Sequence, residues 1–175
     1  LKHAILVQLE IEPSSGYDLL KQFNRGLGYF WNAKHQQIYH QLKTLTEQDL
    51  ITFSVEIQKN KPDKKVYKIS NEGITELKNW ISCPVKPSKV NDALLVKLYG
   101  GHLTSEENLV KELERHHEIH TKTLAHLIQV EQTYLSLPPK KQQKYKFPYL
   151  TLRRGILGEE AWLTWANESI EMIKK

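Results

Sequence analysis

The residues best suited to chemistry lie between Lys34 and Thr44. Ile38, Leu42 and Leu45 fall at i, i+4 and i+7, one apolar stripe of a helix that Asn32 can cap. The opposite face shows Gln36, His40 and Lys43, flanked by Gln37, Tyr39 and Thr44, with Lys34 just ahead. A solvent face is usually rich in Glu and Lys. This one is amide, imidazole and hydroxyl, and its only carboxylates, Glu47 and Asp49, come at the C-terminal end. Gln can bond adenine through two hydrogen bonds, Lys can reach guanine acceptors, and Thr can touch a thymine methyl. A helix start free of carboxylates also avoids repelling phosphate. The chemistry that fits is the reading of base edges in a DNA groove.

A second cluster is cationic. Ile51, Phe53, Val55 and Ile57 alternate with Thr52, Ser54, Glu56 and Gln58, the period of a half-buried strand. Gln58 to Lys65 then reads as a hairpin loop around Asn60, Pro62 and Asp63, carrying Lys59, Lys61, Lys64 and Lys65. Val66 to Ile69 returns as the second strand. Lysine at a hairpin tip attracts phosphate without reading sequence, because an ammonium is a flexible point charge.

Other chemistries find less support. His116 and His120 lie at i, i+4 with Glu112 a turn earlier, so three metal ligands could share a face. Only two residues separate His117 from His120, however, which is not the metalloprotease spacing, and a polar face or dimer contact fits His116, His117, His120 and His126 better. The single cysteine, Cys83, rules out an internal disulfide framework and points to a reducing, cytoplasmic setting. There is no Gly-rich phosphate loop, nucleophile elbow or paired-carboxylate arrangement, so neither an enzyme nor a bound cofactor or metal is expected. Tyr17, Trp31, Trp162 and Trp165, with Tyr149, fit either an aromatic effector pocket between domains or plain packing.

These residues need elements to place them. The chain has 175 residues, 39% hydrophobic and 26% charged, with a net charge of +5, enough for one large domain or two small ones. No apolar run reaches the roughly 18 residues of a spanning helix, and no secretory pattern opens the chain. It starts on Leu1 and not Met, so further residues are expected before it. Cys83-Pro84-Val85-Lys86-Pro87 marks a linker, giving domains at 1–82 and 92–175 with 83–91 between them. In the first, Leu1–Glu10 reads as a helix, Pro13-Ser14-Ser15-Gly16 as a turn with a serine cap, and Tyr17–Asn24 as a helix stopped by Gly26 and Gly28. After the hairpin, Ser70 caps a helix with Ile74, Leu77, Trp80 and Ile81 on its apolar side. Three helices, a basic hairpin and a helix are the order of a winged helix-turn-helix.

The second half reads as all helical. Val90–Tyr99 forms a short helix, and Thr104 and Glu107 form a capping box. A helix of roughly 50 Å then runs to about Leu137, with Leu109, Leu113, His117, Leu124, Leu127 and Tyr134 inward. A basic loop follows to Pro148, and a last helix carries Leu152, Ile156, Leu163, Ala166 and Ile170. Helices this long leave apolar stripes over, so these five residues are expected to pack against a second copy. The fold class is thus mainly α: an N-terminal winged helix-turn-helix with a small antiparallel wing, then an all-helical dimerisation domain.

Gly16-Tyr17-Asp18-Leu19-Leu20, Phe30-Trp31 and Gln37-Ile38-Tyr39-His40-Gln41-Leu42-Lys43-Thr44-Leu45 resemble the PadR family of bacterial transcriptional regulators. Lys65-Val66-Tyr67-Lys68-Ile69-Ser70-Asn71-Glu72-Gly73 is similar to the family's second wing strand and helix cap. Asp92–Leu98 and Leu152-Arg153-Arg154-Gly155-Ile156 look like its longer branch, which carries a helical virulence-activator-type C-terminal domain. Two positions depart from the pattern: His40 stands where the family usually has Pro, and Asp49 where it usually has Gly. The resemblance implies a homodimer on a palindromic DNA operator. Some members answer to phenolic acids and others to unrelated molecules. The expected function is sequence-specific repression, with Gln36, Gln37, His40, Lys43 and Thr44 in the major groove, Lys34 and Tyr39 also on DNA, the wing lysines on phosphate and a small-molecule effector of aromatic or other type releasing DNA. The alternative is a helical interaction module whose winged domain docks a protein.

Overall fold

In the computed structural model, which describes residues 1–25, 31, 33–57, 63–87 and 89–175, the chain divides into two units, Leu1–Ser88 and Lys89–Lys175. The first holds α1 (Lys2–Ile11), β1 (Ser14–Ser15), α2 (Gly16–Arg25), α3 (His35–Glu47), β2 (Ile51–Glu56), β3 (Lys64–Ile69) and α4 (Asn71–Ser82). The strands form an antiparallel sheet in the order β1-β3-β2. This is the winged helix-turn-helix order expected. Its core joins Ile5, Leu6 and Leu9 of α1, Leu19 and Phe23 of α2, Ile38, Leu42 and Leu45 of α3, and Ile51, Ile69 and Leu77. Burying each such side chain contributes about 1.5–3 kcal/mol.

Four local readings change. The Ser14-Ser15 turn is a strand, pairing with Tyr67 and Val66; two residues are too few to show a strand period, so the partner strand decides. The alternating face of β2 is buried only at Ile51, while Phe53, Val55 and Ile57 are 42%, 50% and 87% exposed, because the wing projects beyond the helices. The second wing strand starts at Lys64, so Lys64 and Lys65 belong to the ladder and not to the loop. On α4, Trp80 and Ile81 face solvent, and Trp80 instead stacks on His3 with ring centroids 4.3 Å apart.

The corner after α3 ties the wing to the helices. Asp49 takes left-handed backbone, with φ of 55°, which Asp tolerates better than most residues. Ser70 then gathers the corner: its N–H donates to Leu50 O at 3.1 Å, its hydroxyl donates to Asp49 O at 2.7 Å, and its Oγ accepts from Gly73 N at 2.9 Å as the α4 cap. Gly73 leaves no room for a side chain, since a Cβ there would lie 2.1 Å from Leu50 O.

The second unit holds α5 (Ala93–Tyr99), a 3-10 turn (Gly101–Leu103), α6 (Glu106–Leu135), α7 (Pro139–Lys144) and α8 (Lys146–Ile173). Helix α5 starts later than the apolar pattern because Asp92 Oδ1 caps Leu94 N at 2.8 Å. Ser105, not Thr104, caps α6, and Thr104 Oγ1 takes Asn108 Nδ2 at 3.2 Å. The helix ends at Leu135, where Pro138-Pro139 is already near. The expected basic loop is helical: α7 begins on Pro139, and Pro148 sits in the first turn of α8, where a missing N–H costs nothing. Gln142 Nε2 donates to Leu135 O and Leu137 O, fastening α7 to the end of α6.

Helices α6 and α8 run antiparallel, as the pairs Glu114–Lys174, His120–Glu159 and Glu131–Arg153 show. Val110, Leu113 and Leu127 of α6 and Gly155, Ile156, Glu159 and Ala166 of α8 are buried. Leu109, His117, Leu124 and Tyr134, expected inward, are only half-buried. Two long helices folded back on each other cover much of the stripe that either would leave open alone. Among the described residues, no helix is long and apolar enough to cross a membrane.

Candidate DNA interface

Because Ile38, Leu42 and Leu45 are each 0% exposed, the opposite side of α3 must face outward. Gln36, Gln37, Tyr39, His40 and Lys43 are exposed and Thr44 is half-buried, and Lys34 is exposed at the helix cap. The first turn holds no acid, so the positive end of the helix dipole stays open to an anion. Asn32, read as the cap, lies outside the described residues. Gln37 performs part of that work, its Oε1 accepting the Lys34 backbone N–H at 2.8 Å. Thr44 Oγ1 donates to His40 O at 3.2 Å, and Lys43 Nζ is 3.8 Å from Glu47. Tyr39 is constrained more than its sequence position suggests. A Cβ on Gly16 would meet its ring at 2.7 Å, and His35, which the sequence reading missed, lies 4.4 Å from it ring to ring. The signal for His35 was the i, i+4 aromatic spacing.

On the wing, Lys59 and Lys61 lie outside the described residues. Lys64 Nζ sits 2.8 Å from Asp18 Oδ2. That bond, then Ser15's, holds the Asp18 carboxyl below its usual range, and the same bond raises the Lys64 ammonium. Lys65 Nζ rests 4.4 Å over the Phe53 ring.

The remaining candidates are divided between the two units. Tyr17 and Trp31 are exposed residues of the first unit, with Lys21 Nζ 4.5 Å over the Tyr17 ring. Trp162 and Trp165 belong to the second, where His120 stacks on Trp162 at 3.7 Å and Trp165 meets it edge-on at 5.5 Å. The face of Trp162 is thus covered by the chain's own imidazole. A cavity of about 360 Å³ opens between α5 and α6, lined by Leu94, Leu98, Leu109, Thr104 and Asn108, with Lys97 and Glu112 also on its wall. Glu112 holds Arg115 at 3.0 Å and Lys97 at 2.8 Å; these cations keep its carboxyl down to about 2. His116 Nε2 lies 3.8 Å from Glu112, but His120 Nδ1 pairs instead with the buried Glu159 at 2.6 Å, and no metal-binding group of three appears among the described residues. Of the dimer candidates, Ile156 and Ala166 are buried within the chain, and Leu152, Leu163 and Ile170 are half-buried.

Residues 5–79 match the model of the transcriptional regulator PadR-like family, and residues 90–174 that of the virulence activator alpha C-terminal domain. The probable transcriptional regulator Rv1176c of Mycobacterium tuberculosis is 34% identical, covering 100% of this chain and 98% of that protein. Bacillus subtilis PadR in complex with operator DNA is 31% identical with a TM-score of 0.84, covering 98% of each chain; its complex with p-coumaric acid gives 30% and 0.79, covering 100% and 99%. The Vibrio cholerae virulence activator AphA is 32% identical with a TM-score of 0.79, covering 99% of this chain and 97% of that one. With an exposed, carboxylate-poor face on α3, a basic wing beside it and matches that run the length of both units, the chain belongs to the PadR family of transcriptional regulators.

Proposed function

We propose that this regulator is a repressor that binds a palindromic operator as a homodimer and is released by a small molecule. The observation that carries the reading is the outer face of α3. Gln36, Gln37, His40 and Lys43 all stand exposed there on a helix anchored by three fully buried residues, which is how a recognition helix presents its side chains. Lys34 and Tyr39 border that face, Thr44 extends it, and Lys59, Lys61 and Lys65 supply phosphate contacts from the wing. The B. subtilis relative in complex with operator DNA supports this reading.

The second copy packs on the helical unit. Leu150 and Leu157 of α8 remain 55% and 53% exposed, and Leu135 of α6 55%, beside the half-buried Leu152, Leu163 and Ile170. Two half-sites about one turn apart, roughly 34 Å, follow from a two-fold dimer. The relative bound to p-coumaric acid supports an aromatic effector. A ligand stacking on the face of Trp162 that His120 covers must displace that imidazole, and binding there would alter tryptophan fluorescence. The exposed Phe53, Val55 and Ile57 favour the second reading, a protein docked on the wing.

Footprinting on the DNA upstream of the protein's own gene tests the proposal. A protected pair of inverted half-sites, competed by operator and not by random duplex, is expected. Equal protection of random DNA, or none, refutes it.

A further inference from the structure

We infer that Asp18 is a positioning residue for DNA binding, tying the tip-proximal end of β3 to α2 through Lys64. The inference rests on the DNA-binding reading above. Strand β1 is short, and its ladder ends at the Ser15–Val66 pair. Beyond that pair, toward the wing tip, Asp18 Oδ2 takes Lys64 Nζ at 2.8 Å. The carboxylate is itself held: Ser15 Oγ donates to the same oxygen at 2.7 Å and accepts from Asp18 N at 3.2 Å. Three further observations make this tether matter.

Among the described residues the outer wing has little other packing, since Phe53 and Val55 on β2 and Ile57 just after it are all exposed. The same short segment also touches the recognition helix, because Gly16 lies so close under the Tyr39 ring that a Cβ would meet three of its atoms within 2.9 Å. Residues 15–18 thus contact α3 on one side and the wing on the other, and hold the two as one reading surface. Finally, both charges are kept: Lys64 and Ser15 hold Asp18 below its usual range, and Asp18 raises Lys64. Lys64 then acts through Asp18 and not as a free cation on phosphate.

The two roles for Lys64 predict opposite signs. If Asp18 positions the wing, Asp18→Asn weakens DNA binding. If Lys64 is a phosphate contact that Asp18 merely neutralises, Asp18→Asn strengthens it and steepens the salt dependence, by about 0.9 in slope per phosphate gained. The experiment measures full-chain binding to the duplex upstream of its own gene and to a random duplex, across a salt series. Asp18→Asn keeps the shape and the Ser15 contacts while removing the charge. We expect it, and Lys64→Met, each to weaken operator binding about fivefold, the effect of a well-formed ion pair near the surface. The double variant should lose no more than either single one. Lys64→Arg should restore binding, and the salt slope should stay at the wild-type value, which a lost phosphate contact would not allow. Tighter binding by Asp18→Asn, additive losses, or no effect overturns the inference alone. Wild-type protein that fails to prefer the upstream duplex over random DNA refutes the underlying reading, and this inference with it.

Discussion

Gln37 caps α3 and is also proposed to read a base, and a single substitution can separate the two. Its Oε1 caps the start of α3 by accepting Lys34 N at 2.8 Å, and the side chain lies on the outer face proposed to read bases. Gln37→Ala loses both. The cap bond is neutral and exposed, worth about 0.5–1 kcal/mol, or a fall of roughly 1–4 °C in melting temperature for a chain of this size. A lost bidentate contact to adenine costs about 1–3 kcal/mol on operator DNA, roughly 5- to 150-fold in Kd. Gln37→Glu keeps an acceptor for the Lys34 N–H, and its charge is favoured by about 0.3–1 kcal/mol at the helix N-terminus. It lacks the amide donor that adenine needs. The glutamate variant should therefore melt at or above the wild-type temperature yet bind operator more weakly, with a smaller loss on random duplex. Fluorescence anisotropy on both duplexes, together with thermal melts, reads these three quantities for each variant. Equal losses on operator and random DNA by Gln37→Ala would place the residue on phosphate. A glutamate variant that melts below wild type would remove the cap from the account.

Gly73→Ala should destabilise by about 2–3 kcal/mol in urea unfolding: overpacking against Leu50 O and a weakened Ser70–Leu50 bond outweigh the helix propensity gained; an equally stable variant would refute that corner. Leu157→Asp should give monomers by sedimentation with unchanged helicity, since Leu157 is exposed in the single chain, whereas Ala166→Asp, which buries an unpaired charge, should unfold the helical unit. A dimeric Leu157→Asp would move the interface elsewhere. Glu112 is depressed from 4.5 to about 2 by Arg115 first and Lys97 second. A depressed folded value means its stabilisation is present above 4.5 and is lost as pH falls toward 2. Wild type should therefore keep its advantage over Glu112→Gln from pH 7 to about pH 5 and lose most of it between pH 5 and pH 2, and a constant difference would refute the pairing.

Much was legible locally. The stripe Ile38, Leu42 and Leu45 and the Ser70 cap follow from periodicity and side-chain hydrogen bonding, both set within a few residues of chain. The carboxylate-poor face of α3 followed from the same period, because burying one side of a helix fixes which side is left. Helix starts were less secure. Thr104 and Ser105 are chemically equivalent caps, and the choice between them rests on where Asn108 points.

Only tertiary structure could decide contacts between residues distant in sequence. Nothing near Asp18 in the chain marks it as the partner of Lys64, and nothing near Ser14 shows that β3 will draw it into a sheet. The wing's alternating face reads as core by pattern, yet Phe53, Val55 and Ile57 are exposed among the described residues, because alternation records which way side chains point and not what meets them. On α8, the residues suited to a second copy were spacing-equivalent to those suited to α6; the antiparallel return through α7 gave Ile156 and Ala166 to the chain itself and left Leu150 and Leu157 outside. Sequence patterns determined the elements and their faces here, since those depend on local periodicity. The pairing of faces depended on chain reversal and on shape, which arise only once the elements have packed.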